Sequence, residues 1–270
     1  PTDDVLCAWC WRSFVYPEKA VEISFHEFPR NSFVPEKTIV ARLEGCEAAP
    51  HDFGVTPKYY AMAVNNLTID PLPYIAGLKG AGECLVSQPD LPLKFYIIPR
   101  DGSSSPTVIE GPSKAFEIHT PFAHDGVPID DSFAVPSSEA NDEFMTLYSA
   151  GWDDFKEGTF LGEWGASQEW NFPIASSLTP DFNNIDSTVL WRYVVNITKK
   201  TVERTAAPGC ENLCIDHPHV NPLYEGKREC RFLYASLSNF RGVSGPPLGY
   251  VKIDLKTGER KVWWAGNRTF

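Results

Sequence analysis

The chain has 270 residues, 43% hydrophobic and 22% charged, so it carries enough apolar material for a sizeable core and lacks the bias of a disordered polymer. Lys and Arg number 24 against 35 Asp and Glu, a net charge of −11 with no basic cluster, which argues against nucleic acid as a partner. No run of about 18 apolar residues is present to cross a membrane as a helix.

Short runs rich in β-branched and aromatic residues recur between Pro, Gly and Asn along the whole length, the pattern of an all-β chain. Strands are expected at 21–28, 37–43, 59–64, 93–98, 115–119, 144–150, 188–196, 231–237 and 249–255. Helix is confined to insertions, one at 67–85 (LTIDPLPYIAGLKGAGECL) and another at 153–168. Two segments resemble each other, WRYVVNITKKTVER from Trp191 and GYVKIDLKTGERKV from Gly249, with Asn196 and Asp254 at matching places. Each reads as strand, polar turn, strand, and their spacing suits one blade of a β-propeller. About four to five blades would fit, too few to close a ring. With Pro1 at one end and a strand-like run ahead of Phe270 at the other, the expectation is a single propeller domain over 1–270, truncated at both ends.

Seven scattered cysteines do not form a disulfide framework for a chain of this length, and reduced thiols are expected. Cys7 and Cys10 (CAWC) lack the strand-then-helix setting of a redox pair and are expected in the core. Cys210, Cys214, His217 and His219 are dense enough to bring zinc to mind, but their spacings match zinc modules poorly.

The remaining histidines are His26, His51, His119 and His124. His51 opens HDFGVT, where Gly and Pro nearby suit the inner end of a blade; read alone, a His-Asp pair is more often structural. In AFEIHTPFAHDG, alternation puts Phe116 and Ile118 on one face of a strand and Glu117 and His119 on the other, facing either a channel or water. His124 and Asp125 fall in the turn that should follow, where a solvated histidine is expected.

Taken in order, these segments resemble the carotenoid cleavage oxygenases, a family related to the retinal pigment epithelial membrane protein. HDFGVT from His51 is similar to the family's second metal-ligand motif and FEIHTPFA from Phe116 to its third. LKFYIIPRDG from Leu93 looks like its apolar-Pro-Arg strand end, and DHPHVNP from Asp216 is similar to its Glu-Phe-Pro-Arg-x-Asn-Pro stretch. The hairpin YVKIDLKTGERKVWWAG from Tyr250 resembles its closing motif.

The resemblance implies a partial seven-bladed β-propeller with short helical cap insertions. It implies a nonhaem Fe(II) dioxygenase that cleaves a C=C bond of a carotenoid or apocarotenoid with O2, giving carbonyl products. His51 and His119 become iron ligands, and Asp216, where the family has Glu, becomes the carboxylate behind one of them. Phe53 and Phe122 become candidate walls of a substrate tunnel, Phe122 standing where the family has Asn. Leu72, Tyr74 and Ile75 become a peripheral membrane contact beside its mouth. The family's first and fourth histidines have no counterpart and are expected outside 1–270, so this chain alone is expected to hold iron weakly and not to turn over. Stilbene cleavage, retinoid isomerisation and a noncatalytic pigment- or partner-binding propeller are the alternatives. A plastid or cytoplasmic setting is compatible with the thiols.

Overall fold

The computed structural model describes residues 5–14, 18–88, 90–130, 132–153, 158–159, 187–240 and 247–264. The first sheet is antiparallel and three-stranded, β1 (Val5–Phe14), β2 (Ala20–Pro29) and β3 (Lys37–Glu44). The second begins with β4 (Gly54–Val55) and β5 (Tyr59–Val64). The chain then leaves it for β6 (Leu67–Ile69), the short helix α1 (Pro71–Ile75), a 3-10 turn at Ala81–Cys84 and β7 (Leu85–Ser87). It returns as β8 (Pro92–Pro99) and β9 (Thr107–Ser113), completing the order β4-β5-β8-β9.

The third sheet consists of β10 (Phe116–Asp125), β11 (Phe144–Trp152), β13 (Val189–Asn196) and β14 (Thr201–Ala206). Between β11 and β13, the two-residue strand β12 (Gly158–Thr159) joins β7 and β6 in a small cap sheet. The fourth sheet orders β15 (Leu213–Val220), β16 (Phe232–Phe240), β17 (Gly249–Asp254) and β18 (Arg260–Trp264).

Alternation along each strand gives every sheet apolar residues to bury, and successive sheets bury them against each other. Ile23, Phe25 and Leu43 meet Tyr60, Met62 and Tyr96 between sheets one and two. Phe95 and Ile97 meet Leu147 and Tyr193 between two and three, and Phe122 and Tyr148 meet Ile215 and Leu233 between three and four. This is a partial β-propeller, four blade sheets in succession with the cap insertion after β5. A buried polar clamp ties the first two blades: Glu27 accepts hydrogen bonds from the Tyr60 hydroxyl and, at 2.9 Å, from Arg100 Nε. The paired segments seen in the sequence are the β13–β14 and β17–β18 hairpins, the third and fourth strands of successive blades. Their matching Asn196 and Asp254 each accept a turn N–H, from Lys199 and Lys256.

Three expectations need correction. β10 does not stop at His119 but runs to Asp125, because bulges on both sides of His119 break the alternation without ending the strand. His124 is therefore 1% exposed rather than solvated, and burial pushes its imidazole down to about 4. Cys7 packs beside the first core, where burial raises its thiol to about 12, whereas Cys10, on the opposite face of β1, is exposed. The strands β1, β9 and β15 were not among those expected. All seven cysteines are free thiols. Most of the second expected insertion, 153–168, lies outside the described residues.

A candidate metal centre at the inner ends of the blades

The strands β4, β10 and β15 each open a blade and lie next to one another, so His51, just ahead of β4, and His119 and Asp216, within β10 and β15, converge. His51 stands just ahead of β4 and is placed by its neighbour. The Asp52 carboxylate accepts the Phe53 N–H at 2.8 Å with one oxygen and the Thr120 N–H of β10 at 2.7 Å with the other. This fastens the His51 turn to the residue after His119. Burial raises the Asp52 pKa, with the two amides and the nearby imidazoles opposing it. Gly54 permits the close approach: a Cβ there would lie 2.7 Å from that of Ala123 on β10. Thr56 closes the motif by accepting the Lys58 and Tyr59 N–H groups.

The rings of His51 and His119 are 5.1 Å apart between centroids and 66° from coplanar. His119 Nδ1 lies 2.6 Å from Asp216 Oδ1. A carboxylate only accepts, so His119 carries its proton on Nδ1 and keeps a lone pair on Nε2. The hydrogen bond to Asp216 raises the His119 pKa against the opposing effect of burial. Burial works to raise Asp216, but the His119 hydrogen bond, the His217 N–H and both imidazoles outweigh it and hold the carboxyl below its usual range.

Asp216 reaches His119 directly, without a bridging group. The register of β15 on β16 slips between Asp216 and His219, and His217 takes the left-handed conformation with φ +48°. The His217 N–H then donates to Asp216 Oδ1 at 2.7 Å, and the Ser236 hydroxyl donates to the Asp216 carbonyl at 2.7 Å. For a non-glycine residue that conformation costs on the order of 1 kcal/mol.

Two cavities flank the pair. One, of about 580 Å³, is mainly apolar, with His51, Trp9, Trp11, Tyr74, Phe116 and Ile118 in its wall. The other, of about 300 Å³, is of mixed character and is lined by Asp52, His119, His217, His219 and Glu225 together with prolines and Val220. Phe53 and Phe122, the tunnel walls expected from the resemblance, line neither. Phe53 packs with Trp9 and Phe25 at 5.6 and 5.3 Å, and Phe122, 1% exposed, stacks on Tyr148 at 4.8 Å inside the blade core. Trp9 and Trp11 escaped notice because β1 did; their alternate positions were the available signal. The insertion contributes twice: Tyr74 walls the apolar cavity, while Leu72 and Ile75 stand 72% and 75% exposed on α1. Among the described residues, one group of His, Cys, Asp and Glu is close enough to hold an ion: His119, Asp216 and His217. Cys210 and Cys214 are buried apart from it, which removes the zinc-module reading.

The family model of the retinal pigment epithelial membrane protein matches residues 13–270. The chain belongs to that family, the carotenoid cleavage oxygenases. A relative in it is apocarotenoid-15,15'-oxygenase of Synechocystis, 26% identical over 211 residues that make up 77% of this chain and 36% of the relative. Among solved structures, a tryptophan-to-alanine variant of the Synechocystis apocarotenoid oxygenase superposes with a TM-score of 0.74 at 22% identity, covering 96% of this chain and 46% of that one. The cobalt-substituted form of that oxygenase gives 0.73 at 23% identity, over 97% and 46%. The chain therefore spans less than half the length of these relatives.

Proposed function

We propose that this chain forms the part of a nonhaem Fe(II)-dependent oxygenase that cleaves a C=C bond of a carotenoid or apocarotenoid to two carbonyl products. The observation that carries the reading is the His51–His119 pair, with His119 locked in one tautomer by Asp216 and His51 in the wall of the apolar cavity. The donor set fits the metal: neutral imidazoles suit ferrous iron, and a carboxylate on the far nitrogen orients the ring and raises its basicity. Bound iron would supply the centre at which O2 is activated. One alkene and one O2 become two carbonyls, so the reaction balances without an external reductant.

The chain's own residues have separable tasks. His51 and His119 would each offer a ring nitrogen, and Asp216 would hold the His119 proton on Nδ1 throughout. Asp52 would keep the two rings in register by tying the His51 turn to Thr120. Trp9, Trp11, Tyr74, Phe116 and Ile118 would take a polyene out of water and lay it beside His51. The retention of the Asp216–His119 bond, despite the change from the family's Glu, favours a working metal centre over a noncatalytic propeller.

The test is aerobic incubation of a whole-length protein carrying this segment with Fe(II) and a panel of apocarotenals, a stilbene and a retinyl ester. Loss of polyene absorbance with labelled O2 appearing in two aldehydes supports the reading. Turnover of the stilbene or the ester alone would replace it with one of the other family reactions. Activity that survives both His51→Ala and His119→Ala would overturn it.

A further inference from the structure

His217 is the group at this centre that the proposed chemistry leaves unused. It stands where the similar family stretch has Phe. Its side chain is 63% exposed, and its ring lies 4.9 Å from that of His119 and 30° from parallel to it. Its Nδ1 is 3.8 Å from Asp216 Oδ2, the carboxylate oxygen that His119 does not use. One donor atom from each of His119, Asp216 and His217 falls within 4.8 Å of the others. Ligands about 2.0–2.2 Å from a tetrahedral ion stand roughly 3.3 Å apart, so the widest separation in the cluster exceeds that spacing by at most about 1.5 Å. The hydrogen-bonded His119–Asp216 pair, at 2.6 Å, would open slightly to admit the ion. His217, with its side chain 63% exposed, is the member of the cluster with room to turn toward the other two.

We propose that His119, Asp216 and His217 form a second site, for a divalent transition ion such as Zn2+ or Co2+, which shares His119 with the proposed iron pair and does not use His51. Two imidazoles and a carboxylate are a donor set for such ions, with solvent in the fourth position. Entry is open through the smaller cavity, whose walls also hold His219 and Glu225. The ion takes His119 Nδ1, the atom that already meets Asp216, and the ring proton moves to Nε2. A neutral imidazole has one lone-pair nitrogen, so His119 serves this ion or the proposed iron, not both at once. That competition rests on the iron reading; the site itself does not.

The experiment is equilibrium dialysis of the purified chain against Co2+, read by metal content and by the visible absorption of the bound ion, with Zn2+ displacing it. The expected result is one Co2+ lost on His217→Phe and on His217→Gln, by more than the roughly 10–100-fold that removal of a merely supporting partner costs. His51→Ala should bind Co2+ as the parent chain does. In ring-nitrogen NMR, Zn2+ should shift His119 and His217 together. Both His217 variants folding and binding Co2+ like the parent would overturn the proposal, as would loss of the ion in His51→Ala. A failed oxygenase assay with Co2+ binding that depends on His217 would strike the iron reading and leave this one standing.

Discussion

His119 Nδ1 and Asp216 Oδ1 meet at 2.6 Å across the boundary between the third and fourth blades, joining residues 97 positions apart. Because that bond raises the His119 pKa, Asp216→Asn should let it fall back toward the ordinary imidazole value. Ring NMR over a pH titration would show it. Iron affinity in the whole-length protein should drop about 10–100-fold, as it does when such outer partners are lost. An unchanged His119 titration would mean that the bond does not form in solution.

The Glu27–Arg100 pair is buried on both sides, with side chains 6% and 9% exposed. Arg100→Met would strand the Glu27 carboxylate with Tyr60 and the partly exposed Lys37, at a cost of about 3–5 kcal/mol in urea unfolding. Adding Glu27→Gln should recover part of that loss.

Phe122→Ala should cost about 3–5 kcal/mol, since the ring is stacked on Tyr148 in the core between blades three and four. Retention of an apolar ligand by the folded variant should be unaffected. Ile118→Trp, which fills the cavity wall, should do the reverse.

His124 has a folded pKa of about 4 against 6.5 for the free side chain. The unfolded chain therefore binds more protons between those values, and stability falls as pH drops from about 6.5 to 4. The full effect is on the order of 3 kcal/mol below pH 4. Buried Glu117, raised to about 7, acts with the opposite sign in an overlapping window, so the parent must be compared with His124→Asn. The variant should lose less stability over this acid range, by thermal melts.

Leu72, Tyr74 and Ile75 lie on a helix with no buried residue. Changing all three to Ser should reduce flotation of the protein with liposomes several-fold, if the cap touches membranes. Unaltered flotation would remove that contact.

The sequence was legible where one physical signal dominated. A short continuous apolar run gave strands such as β5, buried on both faces, and the turn chemistry of Asn196 and Asp254 gave the paired hairpins. HDFGVT was legible because Gly54 and Asp52 each have a local geometric duty. Legibility failed at β15, where Pro218 and two histidines hide a bulged strand, and at β10, where bulges around His119 make a continuing strand look finished. Phe122 was misplaced because an aromatic substituted for a polar residue suits a core as well as a tunnel; only burial separates them.

The left-handed turn of His217 bears on what position 216 can hold. The Asp216 contact to His119 is already 2.6 Å long with the turn at His217 in place, so Asp216→Glu, which adds a methylene, should disturb that contact unless the turn changes with it. Positions 216 and 217 should therefore behave as a unit: if Asp216→Glu weakens the bond to His119, a second change at His217 that relaxes the turn should restore part of it.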